Sequence, residues 1–401
     1  MNVLFLGGVF DDSHNEEIIG KTRTYVEYAA NNFQKKIIYG LRANNVPLDV
    51  VSIPFIGAYP TAYCDIYFSG FKNMQNDNSG YKYYNFNNIY GYRNISRYMA
   101  AKQGLREFIS NNDAQKLIIV YTPHTPFVQA ANWAKRKDPR IKICMVVPDL
   151  PQYMDLSEKQ SPIYKFLKSI DLKKFAKENE SVDSYILLTD QMAEALNVGN
   201  RPYRVVEGIY EEAKTSKAIK KKEVKTIVYT GKLNIAFGAL NLVKAFQLIE
   251  DPNIRLVICG SGEAKEEIAK IAAEDSKIDF RGQVSSDVAR QCILDGDILV
   301  NPRPNDSIYT KYSFPSKIID YLATGNPVVA FELDGMPKAY RDFIYYIPEN
   351  TIESMAKTIK HVIDADKLEI KAKANNALNY INNNLSREEV AKCIIELNFK
   401  K

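Results

Sequence analysis

Short apolar runs alternate with amphipathic stretches along nearly the whole chain. Of all the features of the sequence, this alternation restricts the possible folds of the chain most. In the second half, the runs of strand length are residues 226–229, 255–259, 278–280, 298–301 and 327–331. The stretches between them have helical periodicity, at residues 239–249, 265–274, 287–293 and 315–324. Repeated strand–helix units predict a parallel sheet with helices on both faces. Ligands of such sheets bind at the carboxyl ends of the strands.

The first half repeats this pattern less regularly. Its strand-like runs are residues 3–6, 49–53, 117–121, 142–147 and 184–188. Residues 59–98 interrupt the pattern, are crowded with Tyr, Asn and Gly, and are interpreted as a long loop insertion.

A chain of 401 residues is long enough for two domains. Residues 211–225 are polar and lysine-rich, which is typical of a linker that buries little surface. We therefore predict a first domain at 1–210, a second at 226–380, and a C-terminal helix at 381–401 that can pack back on the first domain. The predicted architecture is two doubly wound Rossmann-like α/β domains facing a central cleft.

The charge and cysteine content narrow the class of protein. A net charge of +5 is mild for this length, so it does not indicate nucleic-acid binding, but it suits an anionic ligand or membrane surface. The five cysteines are scattered without CxxC spacing, as expected of buried residues in a reduced cytoplasmic protein. The apolar run at 3–6 is too short for a signal peptide. No apolar run approaches the ~18 residues that a membrane span needs.

Three short segments resemble familiar ligand-binding motifs but are incomplete or lie at the wrong end of a strand. Residues 20–22 (GKT) lack the earlier glycine of a phosphate-binding P-loop, because Asn15 stands in its place. Residues 260–262 (GSG) lack the third glycine of a dinucleotide fingerprint, where Lys265 stands. Residues 295–297 (DGD) precede their strand, so they are interpreted as a turn rather than a metal site.

The segment 312–329, YSFPSKIIDYLATGNPVV, predicts a helix between Pro315 and Gly325. Proline fits the first helical turn and glycine the position after the last one. At 100° per residue the apolar side chains fall on one side. The polar side is predicted to carry Ser316, Lys317, Asp320 and Tyr321.

That polar side begins at the predicted helix start, where free N–H groups favour an anion. A diphosphate beside Ser316 and Lys317, with ribose hydroxyls on Asp320, would satisfy these groups. The alternative is an ordinary helix with a solvated face and a Lys317–Asp320 pair, worth only a few tenths of a kcal/mol. The pattern alone leaves both interpretations open.

The motif NPRP at 301–304, followed by the segment 312–329, resembles the donor-site signature of retaining GT-B glycosyltransferases. It is most similar to the large family, often called family four, that builds capsular and exopolysaccharides. Asp320 stands where that family usually has the glutamate that holds the donor ribose. Tyr312 stands where the family often has a second glutamate.

The resemblance continues through the second domain and into the first. Residues 229–246 match the segment that opens the donor domain, with Lys232 where an arginine usually meets the diphosphate and Phe237 where a lysine usually does. Residues 257–263 and 280–284 match the following strand–loop segments. The donor-binding residues that the resemblance implies are Gly7, Gly8, Lys232, Gly260, Ser261, Arg281, Val284, Phe314, Ser316, Lys317 and Asp320.

In the first domain, His124 follows a strand in YTPHTP, where the family has an active-site histidine. The implied catalytic set is His124, Lys232 and Lys317, while His14 and Asp149 are weaker candidates for the acceptor side. A loop histidine satisfied by the backbone is the alternative for His124.

The implied reaction is transfer of a sugar, with retention, from a nucleotide diphosphate sugar to a saccharide hydroxyl, without a metal or another cofactor. The acceptor is expected to be lipid-linked, which would bring a cytoplasmic enzyme of surface polysaccharide synthesis to the inner face of the membrane. Two alternatives remain: a nucleotide-sugar epimerase of similar architecture, and a non-catalytic subunit of a polysaccharide-assembly complex. Phe237 and Tyr312 motivate the second alternative.

Residues 161–177, SPIYKFLKSIDLKKFAK, combine five lysines with apolar residues at helical spacing. Such a basic amphipathic helix can lie on an anionic membrane. The alternative, which the pattern favours for the apolar stripe, is that it packs on the first domain's sheet. The stripe consists of Ile163, Phe166, Leu167, Ile170 and Phe175.

Overall fold

A computed structural model describes residues 1–72, 77–111, 115–153, 162–210 and 224–399 of the protein. The chain divides into two compact units. Unit 1 comprises Met1–Glu211 and Ser386–Lys401, and unit 2 comprises Glu212–Leu385. Most of the predicted linker lies outside the described residues, and its last residue, Lys225, already belongs to a strand.

The strands and helices alternate in both units. The strands are β1 (Asn2–Gly7), β2 (Leu48–Ser52), β3 (Tyr67–Phe68), β4 (Tyr81–Tyr83), β5 (Phe86–Asn87), β6 (Lys116–Tyr121), β7 (Ile141–Val147), β8 (Ser184–Leu187), β9 (Tyr203–Val205), β10 (Lys225–Thr230), β11 (Ile254–Cys259), β12 (Ile278–Gly282), β13 (Ile298–Asn301), β14 (Val328–Ala330) and β15 (Ile344–Tyr346). The α-helices are α1 (Asn15–Lys21), α2 (Tyr28–Ala43), α3 (Arg93–Ser110), α4 (Thr125–Lys137), α5 (Pro162–Asn179), α6 (Met192–Ala195), α7 (Ala239–Gln247), α8 (Lys265–Glu274), α9 (Ser286–Asp295), α10 (Lys317–Leu322), α11 (Ile352–Asp364), α12 (Lys367–Tyr380) and α13 (Arg387–Phe399).

Unit 1 is built on a parallel sheet with the strand order β4-β2-β1-β6-β7-β8-β9. Its central strands β1, β6 and β7 are buried along nearly their whole length, as expected where helices cover both faces. Because all of these strands are parallel, the segments that follow β1, β6 and β7 leave the sheet at the same edge.

The predicted loop at 59–98 is wrong in part. It contains β4, which extends the sheet by pairing Tyr81 with Val50, and the small antiparallel pair β3–β5. The start of α3 also falls inside it. These strands have only two or three residues, too few to produce a periodicity that can be recognised in the sequence.

The C-terminal helix α13 belongs to unit 1, where it packs on α2. A side chain at Gly40 of α2 would meet the carbonyl oxygen of Arg387 at 2.0 Å, so the two backbones are in close contact. Asn398 near the end of α13 accepts a hydrogen bond from Ser184 Oγ of β8, at 2.8 Å. The last helix of the chain is therefore held by two elements of the first unit.

The favoured interpretation of the stripe on α5 is wrong for most of its described members. Phe175 is buried, but Phe166, Leu167 and Ile170 are 65%, 46% and 48% exposed. Ile163 lies outside the described side chains. The C-terminal half of α5 contacts α4, where Asn132 donates a hydrogen bond to Glu178 at 2.7 Å, and Lys168 in the N-terminal half donates to the Gln152 carbonyl at 3.4 Å.

Unit 2 is built on a parallel sheet with the strand order β12-β11-β10-β13-β14-β15. One apolar core joins the faces of these strands to α7 and α11. Residues 295–297 connect α9 to β13, as the predicted turn requires: Asp295 is the last residue of α9, Gly296 is its C-cap, and Asp297 accepts a hydrogen bond from the Thr226 N–H at 2.8 Å. The predicted α/β architecture with parallel sheets is therefore confirmed in each unit.

Candidate functional site

The carboxyl ends of three adjacent strands of unit 2 bring the predicted donor residues together. The Gly231 N–H donates to the carbonyl of Cys259 at 2.9 Å, and the Leu233 N–H donates to Ser261 at 2.9 Å. The segment that follows β10 and the Gly260–Ser261 loop that follows β11 therefore run side by side. Lys232 is exposed at this edge of the sheet, between the two bonded residues.

Gly260 is required by the close approach of these two loops. Its φ is +150°, and a Cβ at this position would lie 1.8 Å from the carbonyl oxygen of Gly231. Any other residue would meet backbone that has no room to move. Gly260 therefore allows a close approach between the backbones of two neighbouring loops.

Lys317 points to the end of β10. Its Nζ donates to Thr230 Oγ1 at 3.2 Å, and within the described residues it forms no salt bridge. Burial lowers the pKa of Lys317 below its ordinary value, although the negative charge of Asp320 opposes this effect. A half-buried ammonium group that forms no salt bridge in the described part of the chain is suited to a bound anion.

The helix that carries Lys317 is shorter than predicted. α10 covers Lys317–Leu322 instead of 315–324, with Ser316 at its N-cap and no side-chain cap hydrogen bond. Because the helix has fewer than two turns, its dipole contributes little, and side chains must provide most of any attraction for an anion. Asp320 is exposed on this helix.

The prediction that Tyr321 lies on the polar side of the helix is wrong. Tyr321 is completely buried, and its hydroxyl accepts a hydrogen bond from the Thr230 N–H at 3.0 Å. The ring is long enough to cross the interface between α10 and the sheet and to satisfy a buried backbone donor. Thr230 thus forms hydrogen bonds with two side chains of the same helix, those of Tyr321 and Lys317.

The remaining predicted donor residues of unit 2 are placed differently. Phe314 is buried, with its ring 5.2 Å from that of Tyr340. Arg281 lies on β12, the edge strand of the sheet, and is paired with Asp279 at 2.9 Å. Val284 follows the same strand. The structure therefore groups Lys232, Gly260, Ser261 and Lys317, whereas Arg281 and Val284 are two strands away from β10.

Arg303 is a cation of this region that the sequence analysis did not identify. Its guanidinium lies over the ring of Phe237 at 5.4 Å and over the ring of Tyr309 at 5.3 Å. One of its nitrogens donates to Ser313 Oγ at 3.0 Å. Burial lowers the pKa of Arg303. A recognisable signal was present, because an arginine between two prolines directly after a strand belongs to the NPRP motif itself.

In unit 1, the two glycines at the end of β1, Gly7 and Gly8, have a structural explanation. The Gly8 N–H donates to Gln34 Oε1 at 2.9 Å in a buried position, so this amide is already satisfied. A Cβ at Gly8 would lie 2.5 Å from the ring of Phe55, and one at Gly7 would lie 2.3 Å from Gln34 Oε1. Both glycines are thus needed for packing within unit 1.

His124 precedes α4, and its ring makes edge-on contacts with Phe55 and Phe127 at centroid distances of 5.9 and 4.6 Å. Its Nδ1 is buried and has no hydrogen-bond partner among the described residues. Burial, together with the positive Arg97 and Arg93, lowers the pKa of His124 well below its ordinary value. The imidazole is therefore neutral at pH 7 and retains one nitrogen able to form a hydrogen bond.

The two weaker candidates differ from each other. Asp149 follows β7, and the surrounding protein and the negative Glu27 raise its pKa, while its contact with solvent screens that effect. His14 is buried, stacks on Phe71 at 4.0 Å and lies 3.2 Å from Asp77 Oδ2. His14 therefore holds the tyrosine-rich insertion in place, a contact for which the sequence contained no signal.

Comparison with known proteins gives a family match within unit 2. Residues 224–365, which cover most of unit 2, match the family model described as "Glycosyl transferases group 1". No functionally curated protein has significant sequence similarity to the chain.

Solved structures resemble the whole chain. A TarM variant of S. aureus, in complex with fondaparinux, alpha-GlcNAc-glycerol and UDP, is 13% identical, with both chains fully covered and a TM-score of 0.59. HepE of Anabaena in complex with UDP is 12% identical, with 99% of each chain covered and a TM-score of 0.58. The lipopolysaccharide outer core galactosyltransferase WaaB is 14% identical, covering 100% of this chain and 99% of its own, with a TM-score of 0.61.

At these identities the likeness shows the fold, which is GT-B with two Rossmann-like domains, as the sequence predicted. Taken with the family match in unit 2, the fold supports a GT-B glycosyltransferase.

Proposed function

We propose that the protein is a retaining glycosyltransferase of family four that moves a sugar from a nucleotide diphosphate sugar to a hydroxyl of a saccharide acceptor. The observation that carries this proposal is the half-buried Lys317, held against Thr230 at the end of β10. It lies inside the segment that matches the glycosyltransferase family model. The structures of TarM and HepE contain UDP, which favours a nucleoside diphosphate as the product released from the donor.

Lys317 has the properties needed to stabilise a leaving diphosphate. Negative charge develops on this group as the bond to the sugar breaks, and a fixed, partly dehydrated ammonium group interacts with it more strongly than one in water. Lys232 can add a second positive charge from the neighbouring loop. These cations allow the proposed reaction to proceed without a metal or another cofactor.

Asp320 and His124 are proposed to act on hydroxyl groups. The exposed carboxylate of Asp320 can accept hydrogen bonds from the donor ribose. The side chain of His124 is only partly buried, so its neutral imidazole can form a hydrogen bond with a sugar hydroxyl and thereby position either the donor sugar or the acceptor. Asp149 and His14 remain weaker candidates for the acceptor side.

We further propose that the acceptor is lipid-linked and that the protein works at the inner face of the cell membrane in capsule or exopolysaccharide synthesis. Phe166, Leu167 and Ile170 are exposed on α5, next to the exposed Lys165 and Lys173. Apolar side chains flanked by lysines favour contact with an anionic bilayer. No helix in the described part of the chain is both long and apolar enough to cross a membrane.

Calorimetry with UDP, GDP and ADP tests the donor site directly. We expect one of them to bind, and Asp320→Ala to weaken that binding by about 1–3 kcal/mol, since a charged hydrogen bond is lost. The matched control is Asp364→Ala. Asp364 is an exposed carboxylate at the end of α11. The carbonyl of the preceding residue, Ile363, accepts a hydrogen bond from Lys225 at the start of β10, so Asp364 lies at the end of the sheet opposite to the candidate site. Equal affinities of the wild-type protein and Asp320→Ala would remove Asp320 from the site.

Product analysis distinguishes the alternatives. The proposed glycosyltransferase should consume the donor in proportion to the acceptor and, because the proposal includes no metal, should keep its activity in EDTA. Conversion of the donor sugar without any acceptor would indicate an epimerase. Binding of the donor without hydrolysis or transfer, across a panel of acceptors, would favour the non-catalytic subunit.

A further inference from the structure

Two aromatic rings hold the guanidinium of Arg303 at the carboxyl end of β13. Phe237 comes from the segment between β10 and α7, and Tyr309 from the short 3-10 turn Ile308–Tyr312. The hydroxyl of Ser313 accepts one hydrogen bond from it at 3.0 Å. Rings on a guanidinium restrict its orientation without using its N–H donors, so donors remain for a further partner.

The charge of Arg303 is not neutralised by a neighbouring carboxylate. Within the described residues Arg303 forms no salt bridge, and the negative charge of Asp306 acts on it only at longer range. A guanidinium has five N–H donors, and Ser313 occupies one of them. A half-buried cation in this state is unfavourable alone and becomes favourable when an anion binds.

The position of Arg303 relates it to Lys317. β13 is the neighbour of β10 in the sheet, and Lys317 contacts Thr230 at the end of β10. The two backbones approach closely here, since a Cβ at Gly238 would lie 2.1 Å from the carbonyl oxygen of Pro302. The two half-buried cations therefore lie at the carboxyl ends of adjacent strands, with Arg303 following β13 and Lys317 in contact with the last residue of β10.

We propose that Arg303 is a second cation of the donor-diphosphate site, held in place by Phe237 and Tyr309. This inference rests on the proposed function. The guanidinium fork matches two phosphate oxygens at once, which an ammonium group cannot do. Phe237 is then a support for the cation, and its aromatic ring is compatible with a working phosphate site.

The test is calorimetry of the full chain with whichever of UDP, GDP or ADP binds the wild-type protein. Arg303→Gln should lower the affinity about 10- to 100-fold, the range for a lost charge-assisted hydrogen bond. Arg341→Gln is the matched control. It removes an arginine of the same unit that is exposed and paired with Glu332 at 2.7 Å, so we expect the affinity to change less than about twofold.

Two further variants separate charge from packing. The first variant, Arg303→Lys, keeps the positive charge. The second is a double variant in which Phe237→Lys is combined with Arg303→Gln, so that a positive charge returns to the same region. Both are expected to bind the diphosphate more tightly than Arg303→Gln alone. If Arg303→Gln fails to fold, Arg303→Lys still tests the proposal. Lysine cannot contact two phosphate oxygens at once as the guanidinium does, so the affinity of this variant should fall about three- to tenfold.

The outcomes are distinguishable. If no nucleoside diphosphate binds the wild-type protein, the proposed donor site is wrong, and the role of Arg303 is wrong with it. If the wild-type protein binds one and Arg303→Gln binds it equally well, only the role of Arg303 is overturned. A loss in Arg303→Gln that neither charge-restoring variant reduces would also overturn it, because the side chain would then act through packing alone.

Discussion

At the scale of the residue, His124 illustrates how a buried titratable group connects function with stability. Its ring packs edge-on against Phe55 and Phe127, and Arg97 and Arg93 add positive charge near it. All of these neighbours oppose protonation in the folded state. A proton is therefore taken up by the unfolded chain before it is taken up by the folded one.

We predict that the free energy of unfolding of unit 1 decreases as the pH falls, because the lowered pKa of His124 opposes its protonation in the folded state. The folded-state pKa lies below the unfolded value of about 6.5, so this effect is absent above pH 6.5 and grows below it, by up to ~1.4 kcal/mol per pH unit. His124→Phe retains an aromatic ring and should show a shallower decline between pH 6.5 and 5.

Urea unfolding checks this prediction through the single tryptophan, Trp133, which lies in α4, the helix that begins after His124. Other titrating groups affect both proteins alike, so the difference between their slopes reports His124. Identical slopes would mean that the folded protein protonates His124 as readily as the unfolded chain does.

The two lysines of the proposed diphosphate site lead to a prediction about turnover. Lys317→Ala and Lys232→Ala should each reduce kcat strongly, because each removes positive charge where negative charge develops. We expect the larger loss for Lys317, since it is half-buried while Lys232 is exposed. The control is Lys265→Ala at the start of α8, and a double variant of Lys317 and Lys232 with near-normal kcat would exclude both from the reaction.

At the scale of the element, the loops that follow β10 and β11 depend on a glycine that allows their contact. Gly260 and Gly199 both have positive φ, at +150° and +62°. A Cβ at Gly260 would meet the Gly231 carbonyl at 1.8 Å, whereas a Cβ at Gly199 would have nothing within 4 Å. The two positions share an unfavourable φ and differ in available space.

We therefore expect Gly260→Ala to separate the two loops and to weaken nucleoside diphosphate binding more than tenfold, with a lower melting temperature of unit 2. Gly199→Ala should cost about 1–2 kcal/mol of stability through φ alone and leave binding unchanged. Thermal unfolding and calorimetry on both variants measure these effects. Wild-type binding by Gly260→Ala would show that the loop contact is not needed for the donor site.

At the scale of the whole molecule, the exposed apolar residues of α5 predict reversible binding to anionic vesicles. Binding should weaken as salt is added, because the lysines act through screened charge. Replacing Phe166, Leu167 and Ile170 together by serine should reduce co-sedimentation without affecting the melting temperature, since all three are exposed. Leu368→Ser is the control, because Leu368 is 77% exposed in unit 2. Wild-type protein that stays in the supernatant at low salt, with and without anionic lipid, would contradict this prediction.

The sequence alone was sufficient to predict both parallel sheets and the elements that carry Lys232, Gly260 and Lys317. Apolar runs and helical periodicity are local properties, and parallel strands place the segments that follow them at one edge of the sheet. The assignment of these residues to a donor site came instead from the resemblance to retaining GT-B glycosyltransferases, and it stays a prediction. The short strands β3, β4, β5, β9 and β15 were not recognised in this way, because two or three residues have no measurable periodicity.

The tertiary structure decided which side chains meet. Tyr321 is adjacent to Asp320 in the sequence, yet it is buried because its hydroxyl reaches Thr230, which is 91 positions away. Arg303 gains its relation to Phe237 only because β13 lies beside β10. Contacts of this kind depend on the order of strands in the sheet and on the length of each side chain. Local sequence patterns do not encode these properties, so the sequence determined the elements and the chemical groups available, while packing determined their partners.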